Sequence, residues 1–453
     1  MSGGKSWVSR ESGHWRPLAP VAAPPRALQK AAGAGVWPLL ILLAAVLFNA
    51  GLAIINAHVI PLSANAVIGV EVLIVVAAHA IIITNYRPQM LPWYAMIVFI
   101  VLFALERAIV VGNFDPKFLR DVLLIPTFVL LGMTTPPERL TKLIVVLHVI
   151  VVGGVLFEAL FTQSYSGLFD IRQYYIATRS LDDSQFWNSA SDLFVSATRP
   201  DRFFNFVDLH RTSSVLLEPV SLGNYVVIIT AFLCANYRRM SFRVVGFLLI
   251  GNLIALVGCD GRLAAVSSAI VVLAAIVAPQ LPRKSALIYL PLALVCAVAL
   301  VVAAHPDATA DNFAGRVAHG VELLTRYDIG EWFGNSDRLL GPAVDSGIAY
   351  TIATQSIVGL LAFWLFLVLN AEERTPAQVK YLHGLCVYLA LSMLISYSLF
   401  SIKTAALLWF IHGSLQMASR AKTARVARVS REALGSRAHA QLGSETAWLR
   451  GAH

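Results

Sequence analysis

Arginines and carboxylates at the edges of apolar segments are the residues of this chain whose types and spacing could support chemistry. The stretch 208–225 contains Arg211 and then Glu218, which stands with Pro219 and Asn224 in an apolar run. A carboxylate, a proline and an amide are costly inside a membrane-spanning helix, and such residues normally face a polar cavity. The stretch therefore predicts a functional site at a membrane surface.

Two later segments carry residues of the same kind. Arg262 follows the turn 258–261, and Asp345 stands before another apolar run. A guanidinium can make two parallel hydrogen bonds to phosphate oxygens, so arginines at a membrane surface can anchor a lipid diphosphate. Glu218 is a candidate general base or a partner for Arg211. The structural alternatives are an interfacial arginine with its head in water and a carboxylate that only fixes packing.

Several enzyme classes lack their sequence signatures here. The chain has no P-loop, no G-x-G-x-x-G, no D-x-D pair and no G-x-S-x-G, and its histidines do not have metal-ligand spacing. Its four cysteines are far apart in apolar runs, as expected for buried small side chains. We therefore expect no cofactor, metal or nucleotide. The energy for a reaction would come from an activated lipid or from a gradient.

The composition is that of a polytopic membrane protein. The 453 residues are 57% hydrophobic and 13% charged, with a mean hydropathy of +0.70, whereas soluble domains have about 25% charged residues. The net charge of +9 resides in the tails, because the body between them is nearly neutral. Basic tails beside an anionic membrane surface explain this charge, and no nucleic-acid partner is expected.

Apolar runs long enough to cross a bilayer, which requires about 20 residues, predict an all-α fold with about twelve transmembrane helices. The predicted spans are 36–57, 62–84, 91–111, 119–134, 140–161, 214–235, 242–258, 262–280, 285–304, 343–369, 381–400 and 402–418. We divide the chain into a basic tail, 1–35, a transmembrane domain, 36–418, and a second basic tail, 419–453.

The basic residues of the short loops predict that both termini are cytoplasmic. Two longer connections, 162–213 and 305–342, then lie on the outer face. Both are rich in aromatic and charged residues, and loops of this length usually carry function. We predict a short amphipathic helix at Val317–Tyr327. We also predict that the pairs Glu106-Arg107 and Arg120-Asp121 bind each other at the outer ends of the third and fourth spans.

Three short patterns occur in an order that resembles a known family. Arg211 is followed by Gly223 after eleven residues, with Glu218-Pro219 between them. The turn ending at Arg262 comes second. The third pattern is Asp345-Ser346, followed after nine residues by Ser356 and then by Gly359.

These patterns resemble those of the bacterial polysaccharide polymerase and O-antigen ligase superfamily, the Wzy and WaaL proteins. The corresponding family patterns are R-x10-G, a T-G-S-R-like turn and H-[NSQ]-x9-G-x-x-[GTY]. Here one residue is added between Arg211 and Gly223, and Asp345 replaces the histidine on which ligases rely. The Glu218-Pro219 pair resembles the polymerases of capsule and exopolysaccharide systems.

The resemblance implies a polymerase that joins oligosaccharide repeat units carried on undecaprenyl diphosphate. It places the enzyme in the bacterial inner membrane, with its active face in the periplasm. An acceptor hydroxyl would attack the anomeric carbon and expel the lipid diphosphate. The implied partners are the lipid-linked glycan, membrane lipid, a chain-length regulator and export proteins.

On this resemblance, Arg211 and Arg262 would bind the diphosphate, and Glu218 or Asp345 would take the acceptor proton. These four residues, Arg211, Glu218, Arg262 and Asp345, form the predicted catalytic set. The predicted substrate-binding residues are Arg199, Arg202, His210, Asn224, Arg338 and Ser346.

Two other functions stay open at the level of the sequence. A ligase would transfer finished glycan to another acceptor, and a flippase or proton-coupled transporter would use Glu71 in the second span. Transporters usually place charges near the midplane and have paired broken helices or repeats. The polar residues here cluster at one face, which favours chemistry outside the membrane.

Overall fold

A computed structural model describes most of the chain except its tails. The described residues are 6–8, 16–18, 35–179, 181–182, 186, 188, 191–199, 202–205, 209–310, 312–343, 345–397 and 400–417. The predicted tail 1–35 therefore lies largely outside them, and the tail 419–453 entirely so. In the first tail, strands β1 (Ser6–Val8) and β2 (Arg16–Leu18) pair antiparallel.

Helices make up the body of the protein. They are α1 Trp37–His58, α2 Ala64–Thr84, α3 Leu91–Val111, α4 Pro116–Met133, α5 Pro137–Leu160, α6 Thr162–Phe169, α7 Ile171–Arg179, α8 Pro219–Asn236, α9 Phe242–Cys259, α10 Arg262–Val277, α11 Tyr289–Ala304, α12 Phe313–Thr325, α13 Ile329–Trp332, α14 Leu340–Ala343, α15 Gly347–Leu369, α16 Pro376–Met393 and α17, residues 402–417. Short 3₁₀ segments lie at Pro88–Met90, Ser214–Leu216, Tyr237–Arg239, Ala278–Gln280 and Arg283–Ile288.

The helical body confirms the predicted class of polytopic membrane protein. Among the described residues, nine helices are long and apolar enough to cross a membrane: α1, α2, α3, α5, α8, α9, α10, α11 and α15. Helices α4, α16 and α17 occupy three further predicted spans. The first two turns of helix α4 contain three charged residues, Lys117, Arg120 and Asp121.

Helix α8 lies in the centre of the bundle and packs against α9, α10 and α16. Its membrane-length segment is 78% buried, compared with 17% for the segments that contain α3 and α11. Because α3 and α11 leave most of their apolar surface uncovered by protein, that surface would face lipid. Helix α8 instead faces protein on all sides, so its polar first turn must find partners within the chain.

The connections 162–213 and 305–342 contain helices of their own, α6 and α7 in the first and α12 to α14 in the second. Helix α12 begins four residues before the predicted start at Val317. The reason is its N-cap, since the Asn312 side chain accepts a hydrogen bond of 2.9 Å from the backbone N–H of Gly315. The predicted boundary was therefore wrong, although the helix exists.

Polar residues from several helices meet at one end of the bundle. Glu218 at the start of α8 binds Lys403 in α17. The C-terminal end of α5 and the junction of α9 and α10 both bind the segment that leads into α8. We call this end the site end.

Close helix packing at two glycines leads to a prediction about stability. A Cβ atom at Gly413 would overlap the carbonyl oxygen of Val129, and one at Gly132 would overlap that of Phe410. We expect Gly413→Ala to destabilise the protein by about 1–3 kcal/mol, as overpacking does. The measurement is thermal unfolding in one detergent.

Gly51→Ala in α1 is the matched control, because nothing lies within 4 Å of a Cβ atom there. Alanine favours a helix over glycine by about 1 kcal/mol, so Gly51→Ala should not lower the melting temperature. An equal loss in both variants would show that the contact of α4 with α17 is loose.

Candidate functional site

Helix α8 begins later than the sequence pattern predicted, and this shift creates the site. The predicted span started at residue 214, but residues 214–216 form a 3₁₀ turn and Leu217 has a left-handed backbone with φ 61°. Pro219 is the first residue of α8, and Glu218 before it is extended, as the steric effect of a following proline requires. Glu218 is therefore the N-cap of the helix, and its backbone carbonyl accepts from the N–H of Leu222 at 3.1 Å.

Four donors surround the Glu218 carboxylate. Its Oε1 atom accepts from the Tyr175 hydroxyl at 2.8 Å, from Nη2 of Arg179 at 2.5 Å and from Nζ of Lys403 at 2.9 Å. Its Oε2 atom accepts from the Ser221 hydroxyl at 2.8 Å. These side chains come from α7, α8 and α17, so the carboxylate joins three elements that are distant in sequence.

Lys403 is the deepest charge of this group, because its side chain is 0% exposed. Its ammonium donates to the backbone carbonyl of Leu216 at 2.9 Å as well as to Glu218. The predicted twelfth span, 402–418, begins one residue before this lysine. The structure places it inside helix α17, where a buried lysine requires a carboxylate partner.

The surroundings of Glu218 do not suit a general base. Burial by itself would raise the pKa of this carboxyl, but the charges of Arg179 and Lys403 hold its pKa below the ordinary value. A carboxylate that already accepts four hydrogen bonds is a weak base. Nor is it a partner for Arg211, whose described hydrogen bonds go elsewhere.

Arg211 instead fixes the connection to the junction of α9 and α10. Its Nε atom donates to the carbonyl of Cys259 at 3.1 Å, and Nη1 donates to that of Ser196 at 3.4 Å. The turn before Arg262 was predicted to lie near Arg211, and these contacts place it there. Arg262 is exposed as the first residue of α10.

Three arginines gather at this junction: Arg199, Arg202 and Arg211. Burial, followed by repulsion from Arg199 and Arg202, lowers the pKa of the Arg211 guanidinium. All three guanidinium nitrogens of Arg202 are shielded from solvent, and none has a hydrogen-bond partner among the described residues. Buried donors without partners are costly, so this group is suited to receiving an anion.

Asp260 holds the backbone beside Arg202 in place. Its carboxylate accepts from the N–H groups of Phe203 and Phe204 at 2.7–3.0 Å. The aspartate has a left-handed backbone with φ 49°, which aspartate tolerates better than most residues. The junction thus positions both Arg202 and Arg211.

His210 pairs with the carboxylate of Glu158, which two backbone N–H groups hold in place. Its Nε2 atom lies 3.2 Å from Oε1 of Glu158, which is 0% exposed. The other oxygen of Glu158 accepts from the N–H groups of Ser213 and Ser214, both at 2.7 Å. A histidine that donates from Nε2 to a carboxylate oxygen keeps Nδ1 as an acceptor whenever its ring is neutral. This is the arrangement of an oriented base.

The other predicted residues lie apart from these groups. Asn224 is buried within α8, and Ser346 caps α15 by accepting from the N–H of Ala349 at 3.4 Å. Asp345 is exposed beside Ser346. Arg338 binds both oxygens of Glu331, at 2.9 and 3.1 Å, within the connection 305–342. The contacts of Arg338 favour a structural role.

A second charged group extends the site end towards α2 and α4. Arg120 binds Glu71 and Asp121, and Asp121 accepts from the Tyr350 hydroxyl at 2.7 Å. Glu71 is also close enough to Arg179 and Lys403 to interact electrostatically with both. The predicted binding between the pairs 106–107 and 120–121 was wrong, because Arg107 binds Asp337 in the later connection instead.

Sequence reasoning missed the roles of Arg179, Lys403, Tyr175 and Glu158. Lys403 had a usable signal, since a lone lysine at the start of an apolar run is an ionisable residue in or near the membrane. Arg179 and Tyr175 had none, because their connection contains many arginines and aromatic residues. The chain matches no protein-family model, no curated protein and no solved structure. Its function must therefore be argued from these residues.

The buried pair of Glu218 and Lys403 predicts that substitutions of its two members destabilise the protein by different amounts. Glu218→Gln removes the negative charge that faces the buried ammonium and leaves it only neutral oxygen acceptors, the Leu216 carbonyl and the new side-chain amide. We therefore expect a loss of about 3–5 kcal/mol in unfolding free energy. Lys403→Met should cost less, because Arg179, Tyr175 and Ser221 still satisfy the carboxylate. The double variant should recover part of the loss. A double-mutant cycle in unfolding experiments measures all three.

Glu322→Gln is the control, since Glu322 forms an exposed pair with Arg326 and should cost less than about 1 kcal/mol. If Glu218→Gln cost no more than this control, the carboxylate would not be the buried anchor described above.

Proposed function

We propose that this protein is a membrane glycosyltransferase that polymerises lipid-diphosphate-linked oligosaccharides into exopolysaccharide, capsule or O-antigen. In this proposal the chain crosses the bacterial inner membrane twelve times, with both termini in the cytoplasm. The site end then faces the periplasm. Successive spans cross the membrane in opposite directions, and this alternation supports the topology. With a cytoplasmic N-terminus, the helices that would begin at the periplasmic face are α2, α4, α8, α10, α15 and α17.

The observation that carries the proposal is the shielded guanidinium of Arg202 beside Arg199 and Arg211. A lipid diphosphate brings oxygen acceptors to this group and would satisfy the donors of Arg202. Arginine is well suited to this task because its planar donors match phosphate oxygens. Arg262 lies on the neighbouring helix start and would contribute a further positive charge.

The reaction needs a base for the acceptor and charge stabilisation for the leaving group. The acceptor hydroxyl loses its proton to Nδ1 of His210 while its oxygen bonds to the anomeric carbon of the donor. The bond from that carbon to the diphosphate oxygen breaks, and the arginine group stabilises the charge that grows on the lipid diphosphate. Glu158 fixes the ring of His210 and stabilises its protonated form.

These roles differ from those expected from the sequence. Glu218, engaged by four donors, becomes a positioning residue that holds Arg179 and helix α17. Exposed Asp345 has no described contact with the arginine group. His210, predicted only to bind substrate, has the oriented geometry of a base.

One observation favours transport as a second candidate. Helix α15 is broken at Ser356, where φ is 63° and ψ is 165°, and the backbone of Gly334 packs closely against this break. Broken helices line the substrate sites of transporters. A transporter would depend on a gradient, whereas the polymerase would not, and a ligase would make a single transfer to a different acceptor.

Elongation by the purified protein tests these alternatives. The full chain in lipid vesicles, without a gradient or nucleotide, should convert lipid-diphosphate-linked repeat units from its own cells into a ladder of longer products on a gel. We expect Arg202→Gln to lower the rate about 10²–10³-fold, as loss of a charge-stabilising donor does. His210→Asn should lower it about 10²–10⁴-fold, as loss of a general base does.

Arg243→Gln is the control, because this exposed arginine lies in the first turn of α9, about 24 Å along the helix from the site end. It should keep the normal rate. Absence of elongation without a gradient would favour transport. Normal elongation by both Arg202→Gln and His210→Asn would remove the assigned roles.

A further inference from the structure

A second group of cations lies at the site end, apart from the arginines of the α9 and α10 junction. It consists of Arg179 at the end of α7 and Lys117 in the first turn of α4, with Tyr397 between them. The ammonium of Lys117 lies 5.6 Å from the centre of the Tyr397 ring. Arg179 is close enough to Tyr397 for an electrostatic interaction.

Arg179 is anchored by two contacts, and part of its side chain remains exposed. Its Nη2 atom binds Glu218 at 2.5 Å, and its guanidinium carbon lies 4.4 Å from the centre of the Tyr175 ring. The side chain is nevertheless 45% exposed. Its Nε and Nη1 atoms make no hydrogen bond to a described residue. The arginine is therefore anchored at one nitrogen atom while nearly half of its side chain remains exposed.

Lys117 and Tyr397 extend this surface. Both side chains are partly exposed, and the Tyr397 ring packs 5.1 Å from that of Tyr350. Lys117 is close enough to Asp121 for an electrostatic interaction, but the Asp121 carboxylate is itself bound by Arg120 and Tyr350. The ammonium, the phenol and the guanidinium thus belong to one partly exposed group, in which Tyr397 contacts Lys117 and lies near Arg179.

We infer that Arg179, Lys117 and Tyr397 form a second oxyanion-binding site for the substrate. This inference rests on the proposed polymerase function, because polymerisation joins two lipid-linked glycans and each of them carries a diphosphate. The arginines at the α9 and α10 junction take the donor diphosphate, and the second site takes the anionic group of the acceptor. That group is a diphosphate or the carboxylate of an acidic sugar.

An aromatic pair separates the two sites. The Tyr175 ring contacts Arg179 on one side and lies 5.1 Å from the Phe194 ring on the other. Two residues after Phe194, the carbonyl of Ser196 accepts from Arg211. The two cationic groups therefore flank one aromatic pair, of which Tyr175 is buried.

Binding of inorganic pyrophosphate to the purified full chain in detergent tests the inference, with isothermal titration calorimetry as the measurement. The unchanged protein should bind two pyrophosphates. Arg179→Gln should weaken one of these sites at least about tenfold and leave the other unchanged, whereas Arg202→Gln should do the reverse. The double variant should lose both. Lys117→Met should weaken the same site as Arg179→Gln.

Arg326→Gln is the matched control, because Arg326 is also an exposed arginine whose Nη2 atom binds one carboxylate, that of Glu322. It should leave both sites intact. Melting temperatures of all variants show whether a lost site reflects unfolding. Arg179→Gln keeps the pair of Glu218 and Lys403 and should fold.

Glucuronate distinguishes the two sources of the anion. If glucuronate binds in an Arg179-dependent manner and pyrophosphate binds only once, the second site takes a sugar carboxylate. If neither anion binding event depends on Arg179, the inference is wrong. If the protein binds two anions but does not elongate glycan, the second site is supported and the proposed polymerase function is wrong.

Discussion

The structure depends on one buried carboxylate, that of Glu218. An ionised carboxylate removed from water costs several kcal/mol unless it is paired and fully hydrogen-bonded. Here the four donors come from α7, α8 and α17, including a lysine that is itself fully buried. The first long connection and the last helix thus bind the same oxygen atom, Oε1 of Glu218. Helix α17 cannot move away without separating the buried ammonium of Lys403 from its carboxylate.

Acidic and basic side chains balance each other across the whole site end. The acids Asp121, Glu71 and Glu218 interact with the bases Arg120, Arg179 and Lys403, three against three. A neutral network of this kind can remain dry and fixed before substrate arrives, which is what electrostatic preorganisation requires. The arginines of the α9 and α10 junction lie outside this network, and Arg179, which belongs to it, keeps nearly half of its side chain exposed.

The sequence allowed the helical class and most helix positions to be predicted, because lipid demands long apolar runs and such runs are visible in a single chain. It also identified Glu218 and the juxtaposition of Arg211 with the turn before Arg262. The start of α8 was misplaced because hydropathy outweighed the proline rule at Pro219. The partners of Glu218 were missed because Lys403 and Arg179 meet it only through tertiary packing, which no local spacing encodes. His210 was found, but its role depends on Glu158, which lies at the far end of another helix.

The placement of His210 fits the proposed polymerase reaction. In that reaction the attacking hydroxyl would belong to the acceptor sugar that lies farthest from its own diphosphate. A base for that hydroxyl must therefore stand beside the donor diphosphate and away from the anion of the acceptor. His210 directly precedes Arg211 in the group assigned to the donor, whereas Arg179 and Lys117 lie beyond the pair of Tyr175 and Phe194. The distance between the two cationic groups would then have to match the length of one repeat unit. The protein would in this way select repeat units by their size.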